Sequence, residues 1–287
     1  MKRGLLITNH FLTSPSFDTL YGLFDEAAES LGVSLARRTG GDFIAEFDAA
    51  TLDEADFVLF WDKDVSLARR LAARGLPVFN SAEAIRVCDH KGETAEALMA
   101  AAIPTPRTLF APMTYEAVGY AKTDFVERAC AELGFPLVIK ECYGSFGEQV
   151  YLVRSVAEAK AVVARLGAKP FLFQKFVATS FGIDLRVNVV GDKVVCAMRR
   201  QGREGDFRSN VAAGGVGEPY TLSPREREVA LAAARAVGAD FAGVDLLFGG
   251  DGPLVCEVNS NPHFVGTYRH TGVNLAFPIL EHILKSL

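Results

Sequence analysis

Hydrophobic positions in the first eighty residues switch between two periods. Gly4–Asn9 (GLLITN) is a short apolar run of strand type, and Phe17–Leu31 then carries Leu20, Leu23, Phe24, Ala27, Ala28 and Leu31 at helical spacing. Asp56–Trp61 (DFVLFW) reads as a second buried strand, a helix follows near Leu67–Arg74, and Leu76–Asn80 (LPVFN) reads as another strand. Strands alternating with helices pack as βαβ units, so residues 1–80 are expected to form a small domain of that type. Ser81 stands as an N-cap, and helical ground carrying Glu83 and Glu93 leads on to Ala102. Ile103–Thr108 (IPTPRT) is an extended connector, because a residue before proline is pushed out of the helical region. Residues 81–108 are therefore a linker helix and connector.

A second unit, residues 109–177, is expected to hold a helix near Asp124–Leu133, strand Phe135–Cys142 (FPLVIKEC), loop YGSFGEQ, strand VYLVRS, a helix around Val156–Leu166 and strand Phe171–Val177 (FLFQKFV). A third, residues 178–287, opens with strands DLRVNVV and KVVCAMRR and an Arg/Gly-rich loop. A helix from Pro224 to Val237 capped by Ser223, a hairpin, and a terminal helix near Leu275–Leu287 complete it. Strands in the second half outnumber those of a doubly wound sheet, so the class is α/β moving to α+β.

Composition narrows the function classes. The 287 residues are 49% hydrophobic and 23% charged, which suits a globular chain of two or three subdomains. A net charge of −5 argues against bulk electrostatic binding to nucleic acid, though not against a local basic pocket. The start, MKRGLLITNHFLTS, has too brief an apolar run for a cleaved leader, and no run is long enough to span a bilayer. Cys88, Cys130, Cys142, Cys196 and Cys256 are scattered without a Cys-x-x-Cys, as expected of reduced thiols in a cytoplasmic protein.

The richest chemistry lies in the hairpin. Phe241–Phe248 (FAGVDLLF) and Pro253–Asn259 (PLVCEVN) flank Gly249-Gly250-Asp251-Gly252. With a turn centred on Asp251, Asp245 stands across from Glu257, and Gly243 across from Asn259. Alternation puts Glu257 and Asn259 on one face, with Cys256 and Val258 on the other. Three hard oxygen ligands, Asp245, Glu257 and Asn259, on an apolar hairpin suit Mg²⁺; a solvated edge bearing ordinary acids is the bland alternative. Lys140 ends an apolar strand and precedes Gly144, Ser145 and Gly147, an arrangement that grips a phosphate, although an exposed hairpin turn has the same pattern. Arg199, Arg200, Arg203 and Arg208, beside Gly205–Asn210 (GDFRSN) and AAGG (Ala212–Gly215), suit a phosphoryl group that accepts bidentate guanidinium contacts, or form a solvated basic loop. Asp184 and Arg186 share a strand face, lining a cleft or forming a surface ion pair. The histidines have no ligand spacing; His263 stands four residues past Asn259, close enough to touch substrate. No Ser/His/Asp nucleophile set or G-x-S-x-G is present.

Taken together, PLVIKE, GSFG, QKFV, DLRVNVVGDKVV, GDFRSN, AGVDLL and PLVCEVNSNP resemble the ATP-grasp superfamily, specifically its RimK-like carboxylate–amine ligases, over essentially the whole chain. The resemblance implies an ATP-grasp fold: an N-terminal pre-ATP-grasp domain and two α+β lobes enclosing the nucleotide. It implies that Lys91 and Lys140 hold the α- and β-phosphates of ATP, with Gly144, Ser145 and Gly147 over them. Gln174-Lys175-Phe176-Val177 is the hinge whose backbone reads adenine. Asp184 contacts nucleotide, and Arg208-Ser209-Asn210 lies at the phosphate end. Asp245, Glu257 and Asn259 carry two Mg²⁺ ions, for which Mn²⁺ can substitute, and Arg186, Arg200 and Arg208 are the catalytic arginines. Three departures from the family pattern stand out: Lys175 where an acidic residue is usual, Gln149 where the loop usually has glycine, and Pro262-His263-Phe264 in place of small residues.

The implied reaction phosphorylates a carboxylate to an acylphosphate, which an amine, such as that of glutamate, attacks to form an amide with release of ADP and phosphate. Positioning and charge neutralisation are the protein's contribution. The expected partners are ATP and an amino acid or other carboxylate, with a peptide, protein or small-molecule acceptor, no nucleic acid and no membrane. A homo-oligomer is suggested by analogy alone. Rival readings are an ATP-binding regulatory protein of synapsin type, a D-alanine–D-alanine-like or peptide-modifying ligase, and a kinase, the last disfavoured by the missing catalytic Asp/Asn loop.

Overall fold

Three sheets carry the chain in the computed structural model, which describes residues 1–44, 52, 54–145, 147–209 and 214–287. The first is parallel, with order β2-β1-β3-β4, from β1 (Arg3–Thr8), β2 (Ser34–Thr39), β3 (Phe57–Trp61) and β4 (Val78–Phe79). Helix α1 (Pro15–Ser30) covers one face and α2 (Val65–Ala72) the other. Covering on both faces explains why all five residues of β3 are buried and apolar. Strand β2 escaped the sequence reading because SLARRT lies at the sheet edge, only partly buried, and shows no apolar alternation.

The stretch from Ser81 to Ala102, expected as one helix, is two: α3 (Ala82–Asp89) and α4 (Lys91–Ala100). His90 ends the first in an extended conformation (φ −103°, ψ 104°) and caps the second, its Nδ1 accepting from the Glu93 amide at 3.1 Å. The break turns the Lys91 amide toward the Cys142 carbonyl at 2.9 Å, tying α4 to the next sheet.

That next sheet has order β5-β8-β6-β7, from β5 (Thr108–Phe110), β6 (Leu137–Glu141), β7 (Val150–Val153) and β8 (Phe171–Lys175), backed by α5 (Asp124–Leu133) and α6 (Val156–Leu166). Thr108, read as connector, opens β5 and pairs with Gln174. The third sheet is antiparallel, with order β11-β10-β9-β12-β13: β9 (Ile183–Val190), β10 (Lys193–Gln201), β11 (Val216–Pro219), β12 (Phe241–Gly249) and β13 (Gly252–Asn259). Helix α7 (Pro224–Ala236), held by a Ser223/Glu226 capping box, packs on the face formed by Leu185, Val187, Val244 and Leu246. Two further helices, α8 (Val265–Thr271) and α9 (Ala276–Ser286), follow the hairpin.

The chain's last helix returns to its first. Helix α9 buries Ile279, Leu280 and Ile283 in the same core as Leu20, Phe24 and Trp61, and Phe241 stacks on Trp61 at 5.4 Å between ring centroids. Two polar joints reinforce this seam. Fully buried Asn80, just past β4, donates through Nδ2 to the carbonyls of Phe241 (2.9 Å) and Ser260 (2.8 Å). Its Oδ1 accepts from the amides of Asp240 (2.6 Å) and Phe241 (3.2 Å). The second joint is His263, whose Nε2 lies 3.0 Å from Ser16 Oγ and whose ring meets Phe17 edge-on at 5.1 Å. Among the described residues no helix is long and apolar enough to cross a membrane.

Both joints are testable. Asn80→Ala strands buried backbone groups, so urea unfolding should show a loss on the order of 2–4 kcal/mol; a loss below about 1 kcal/mol would contradict the clamp. His263 is pushed below its ordinary value by burial first, with Arg186 on β9 and Arg269 on α8 adding to the effect. Because its folded pKa lies below its unfolded one, stability is intact above the ordinary value of 6.5 and is lost as pH falls below it. His263→Gln should therefore flatten the fall of Tm below that pH, measured by calorimetry against the unaltered protein.

Candidate active site

Register across the third sheet assembles the charged face. Pairing gives the row Met198–Arg186–Asp245–Glu257 across β10, β9, β12 and β13, with Cys196–Asn188–Gly243–Asn259 as the row two residues away. Asp245 faces Glu257, and Gly243 faces Asn259, as the hairpin pattern predicts. The turn does not centre on Asp251, however. Gly249 pairs with Gly252 around a two-residue turn, and a bulge between the Asp245 and Leu246 pairs, where Cys256 is the extra residue, restores the predicted facing. The bulge also overturns the expected orientation of Cys256, which lines the same cavity as Glu257.

Two carboxylates and two guanidinium groups form a ladder on this face. Arg186 binds Asp245 in fork geometry, Nε to Oδ1 at 2.5 Å and Nη2 to Oδ2 at 2.9 Å. Arg200 makes the same fork with Asp184 at 2.7 and 2.6 Å, and its Nη2 also reaches Asp245 Oδ1 at 3.0 Å. Ser209 donates its hydroxyl to Asp184. Gly243 makes room: a Cβ there would lie 2.8 Å from Pro262 Cβ and 3.1 Å from Arg186 Cδ. Burial alone would raise Asp245, but Arg186 and Arg200 outweigh it and hold the carboxyl below the usual range. Burial pushes Asp184 up despite Arg200. Desolvation opposes the charge on Arg200, yet Asp245 and Asp184 together raise its pKa.

Beside the ladder lies a cavity lined by Lys91, Lys140, Leu172, Gln174, Cys256 and Glu257. Lys140 is buried on β6, with Nζ 3.4 Å from Cys256 Sγ, so it is not the exposed turn lysine of the bland reading. Lys91 Nζ donates to the Gly144 carbonyl at 2.8 Å and lies 3.5 Å from Glu257 Oε1. Lys63 Nζ sits between Asp89 Oδ1 (2.5 Å) and Ser145 Oγ (3.2 Å), and Arg208 donates to the Gly147 carbonyl at 3.0 Å. Three cations thus hold the glycine loop. Gln149 packs against Gly144, whose φ of 139° favours glycine; a Cβ there would displace the Gln149 side chain, 2.3 Å away at Oε1.

Of the other expected site residues, Gln174 lines that cavity, while Lys175, Phe176 and Val177 are not among its lining residues. Gln174 is buried and its Nε2 donates to Thr108 Oγ1 at 3.0 Å. Lys175 ends β8 with its amide on the Arg107 carbonyl at 2.8 Å, Phe176 meets Phe181 and Phe207 edge-on, and Val177 precedes a short 3₁₀ turn. Arg208 is paired with Asp206 rather than with the buried ladder. Asn210 lies outside the described residues.

Of the three expected metal donors, both Asp245 oxygens are taken by Arg186 and Arg200, which leaves Glu257 and Asn259 to offer oxygen to a hard divalent cation. Asp245 and Glu257 are cross-strand neighbours, and Asn259 Nδ2 donates to the Gly243 carbonyl at 3.2 Å. Among the described residues no group of three or more His, Cys, Asp or Glu could hold a metal. A cation beside Glu257 would therefore complete its shell with phosphate and water oxygens, as Mg²⁺ commonly does.

Some participants were not singled out in the sequence. Lys63 and Asp62 follow β3, and Asn9, following β1, donates to Asp62 Oδ1 at 3.0 Å. Strand order reverses between β1 and β3, and ligands of open parallel sheets bind at such a switch point, so a polar residue after each strand was a usable signal. Asn188, buried two residues past Arg186 with no partner for Oδ1 among the described residues, was legible from the same alternation.

Comparison with known proteins bears on the family and the fold. A family model described as the RimK-like ATP-grasp domain matches residues 88–283. An uncharacterised MG012 homologue from Mycoplasma pneumoniae is 35% identical over 91% of this chain and 92% of its own. A probable α-L-glutamate ligase from Shewanella amazonensis is 49% identical over 53% of this chain, which spans about half (51%) of that relative's length. Among solved structures, the ATP-grasp ligase PsnB with its minimal precursor covers both chains fully at a TM-score of 0.74 and 20% identity. D-cycloserine synthetase DcsG covers 99% of each chain at 0.77 and 16%. The chain therefore belongs to the RimK-like ATP-grasp family.

Proposed function

We propose that this protein is an ADP-forming, Mg²⁺-dependent ligase that joins an amino acid such as glutamate to a carboxylate through an acylphosphate. The observation that carries the reading is the row Arg186–Asp245–Glu257, with Asn259 beside it, bordering a cavity that also holds Lys91 and Lys140. Binding a nucleotide alone would not call for so dense a set of charges at one end of a cavity. The names of the glutamate ligases, and the ADP and Mg found with PsnB, support the same substrates.

In this reading Lys91 and Lys140 hold phosphate oxygens, and Lys63 and Arg208 keep the glycine loop over them. Asp245, Glu257 and Asn259 would hold two Mg²⁺ ions, which supply charge neutralisation along the triphosphate. Arg200 and Arg186 fix Asp245 ionised and turned to one side, and they offer guanidinium N–H groups to the transferring phosphoryl group. The carboxylate is activated because phosphorylation turns a poor leaving group, oxide, into phosphate. The amine nitrogen then forms a bond to the acyl carbon as the C–O bond to phosphate breaks. In this reading residues 1–80, 81–108, 109–177 and 178–287 surround the site, with the last stretch sharing a core with the first. A cytoplasmic setting suits the five free cysteines and the need for ATP.

The test is ADP release by purified protein with ATP, Mg²⁺, L-glutamate and a panel of carboxylate acceptors, with mass spectrometry for the amide. Chelation should abolish turnover, and Glu257→Gln should lower kcat on the order of 10²–10³-fold while circular dichroism stays native. Near-normal turnover in that variant would refute the metal assignment, and ADP release indifferent to amino acid would refute ligation.

A further inference from the structure

A second cavity opens on the other side of Glu257, lined by Lys63, Asp89, Gly144, Glu257, Asn259 and Asn261 among others. Glu257 lines both cavities, so whatever binds here lies next to the proposed phosphate cavity. Asn261 has an unambiguous orientation. One end of its amide is 2.7 Å from the Asp62 carbonyl oxygen, which accepts only from the NH₂ group; a flipped amide would set oxygen against oxygen. The amide oxygen is thereby turned away from Asp62. It is buried and has no hydrogen-bond partner among the described residues. A buried acceptor without a donor is costly, and it selects for a ligand that brings an N–H.

The lining around it sharpens that selection. It carries two carboxylates, Asp89 and Glu257, and one ammonium, Lys63, which is already engaged by Asp89 and Ser145. A second carboxylate or a phosphate would meet acceptors on this wall, whereas an amine meets partners. Building on the ligase reading, we propose that Asn261 Oδ1 is the positioning acceptor for the incoming amine, holding one of its N–H groups beside Glu257 so that the nitrogen stands next to the phosphate cavity. The Asp62 carbonyl, at the end of β3, sets the angle of that acceptor. The parallel sheet of the first eighty residues thus contributes to substrate orientation through its backbone.

Paired variants separate this role from a merely structural one. Asn261→Ala removes both the acceptor and the bond to Asp62, whereas Asn261→Asp keeps an acceptor, replaces that bond by an oxygen facing the Asp62 carbonyl and adds a negative charge. Binding of L-glutamate and of glutarate, which lacks the amine, is measured by calorimetry on the full chain with Mg²⁺ and a non-hydrolysable ATP analogue. The unaltered protein and Asn261→Asp should prefer L-glutamate, and Asn261→Ala should lose on the order of 10-fold or more of that preference. Where turnover is observed, the KM for the amine should rise by a similar factor in Asn261→Ala, with little change in the KM for ATP. Equal preference in all three proteins, no preference in the unaltered one, or equal loss in both variants overturns the proposal. Absence of ADP release with the glutamate preference intact would instead overturn the ligase reading and leave the amine site standing.

Discussion

The site depends on four charges being kept out of water together. Asp184, Arg200, Asp245 and Arg186 sit on three adjacent strands, and each carboxylate is met by a two-pronged guanidinium contact. Removing one member would leave a buried charge without its partner, which is far more destabilising than an exposed pair is stabilising. The ladder is possible because antiparallel register brings residues 184, 186, 200 and 245 to one face while their neighbours Leu185, Val187, Val244 and Leu246 pack under α7. The same backbone pairing therefore builds core on one side and chemistry on the other.

Around that rigid face the structure gathers parts from distant sequence. Helix α9 shares a core with α1, Asn80 clamps the end of β4 to the start of β12, and Asn261 reaches the end of β3. These joints fix the parallel sheet against the hairpin, so the cleft between them has defined walls. The glycine loop is held differently, by Lys63, Lys91 and Arg208, each from a separate element. Lys63 and Arg208 are half-exposed, so their contacts to the loop are screened by salt.

The hairpin was legible because two strands, a glycine turn and a period of two suffice to put Asp245 across from Glu257. That success passed through an error. The real register beside the turn is off by one residue, and the bulge at Cys256 compensates, which also brings the thiol into the cavity lined by Lys91 and Lys140. A bulge leaves no mark in alternation of so few residues. The break at His90 was invisible for a related reason: histidine is not a common N-cap, and the Lys91 amide bonds to the Cys142 carbonyl, a partner far along the chain.

By itself the sequence determined what local period and motif order can carry. That includes the strand and helix segments, the acidic hairpin, the buried lysine strand and the resemblance to a ligase family. Only the tertiary structure decided which cations meet which anions. It paired Arg200 with both Asp184 and Asp245, set Lys63 on the glycine loop, and turned the Asn261 oxygen away from Asp62. These contacts join residues up to about two hundred positions apart (199 for Asn261 and Asp62), and no local periodicity encodes a pairing whose partners meet only after the sheets have packed.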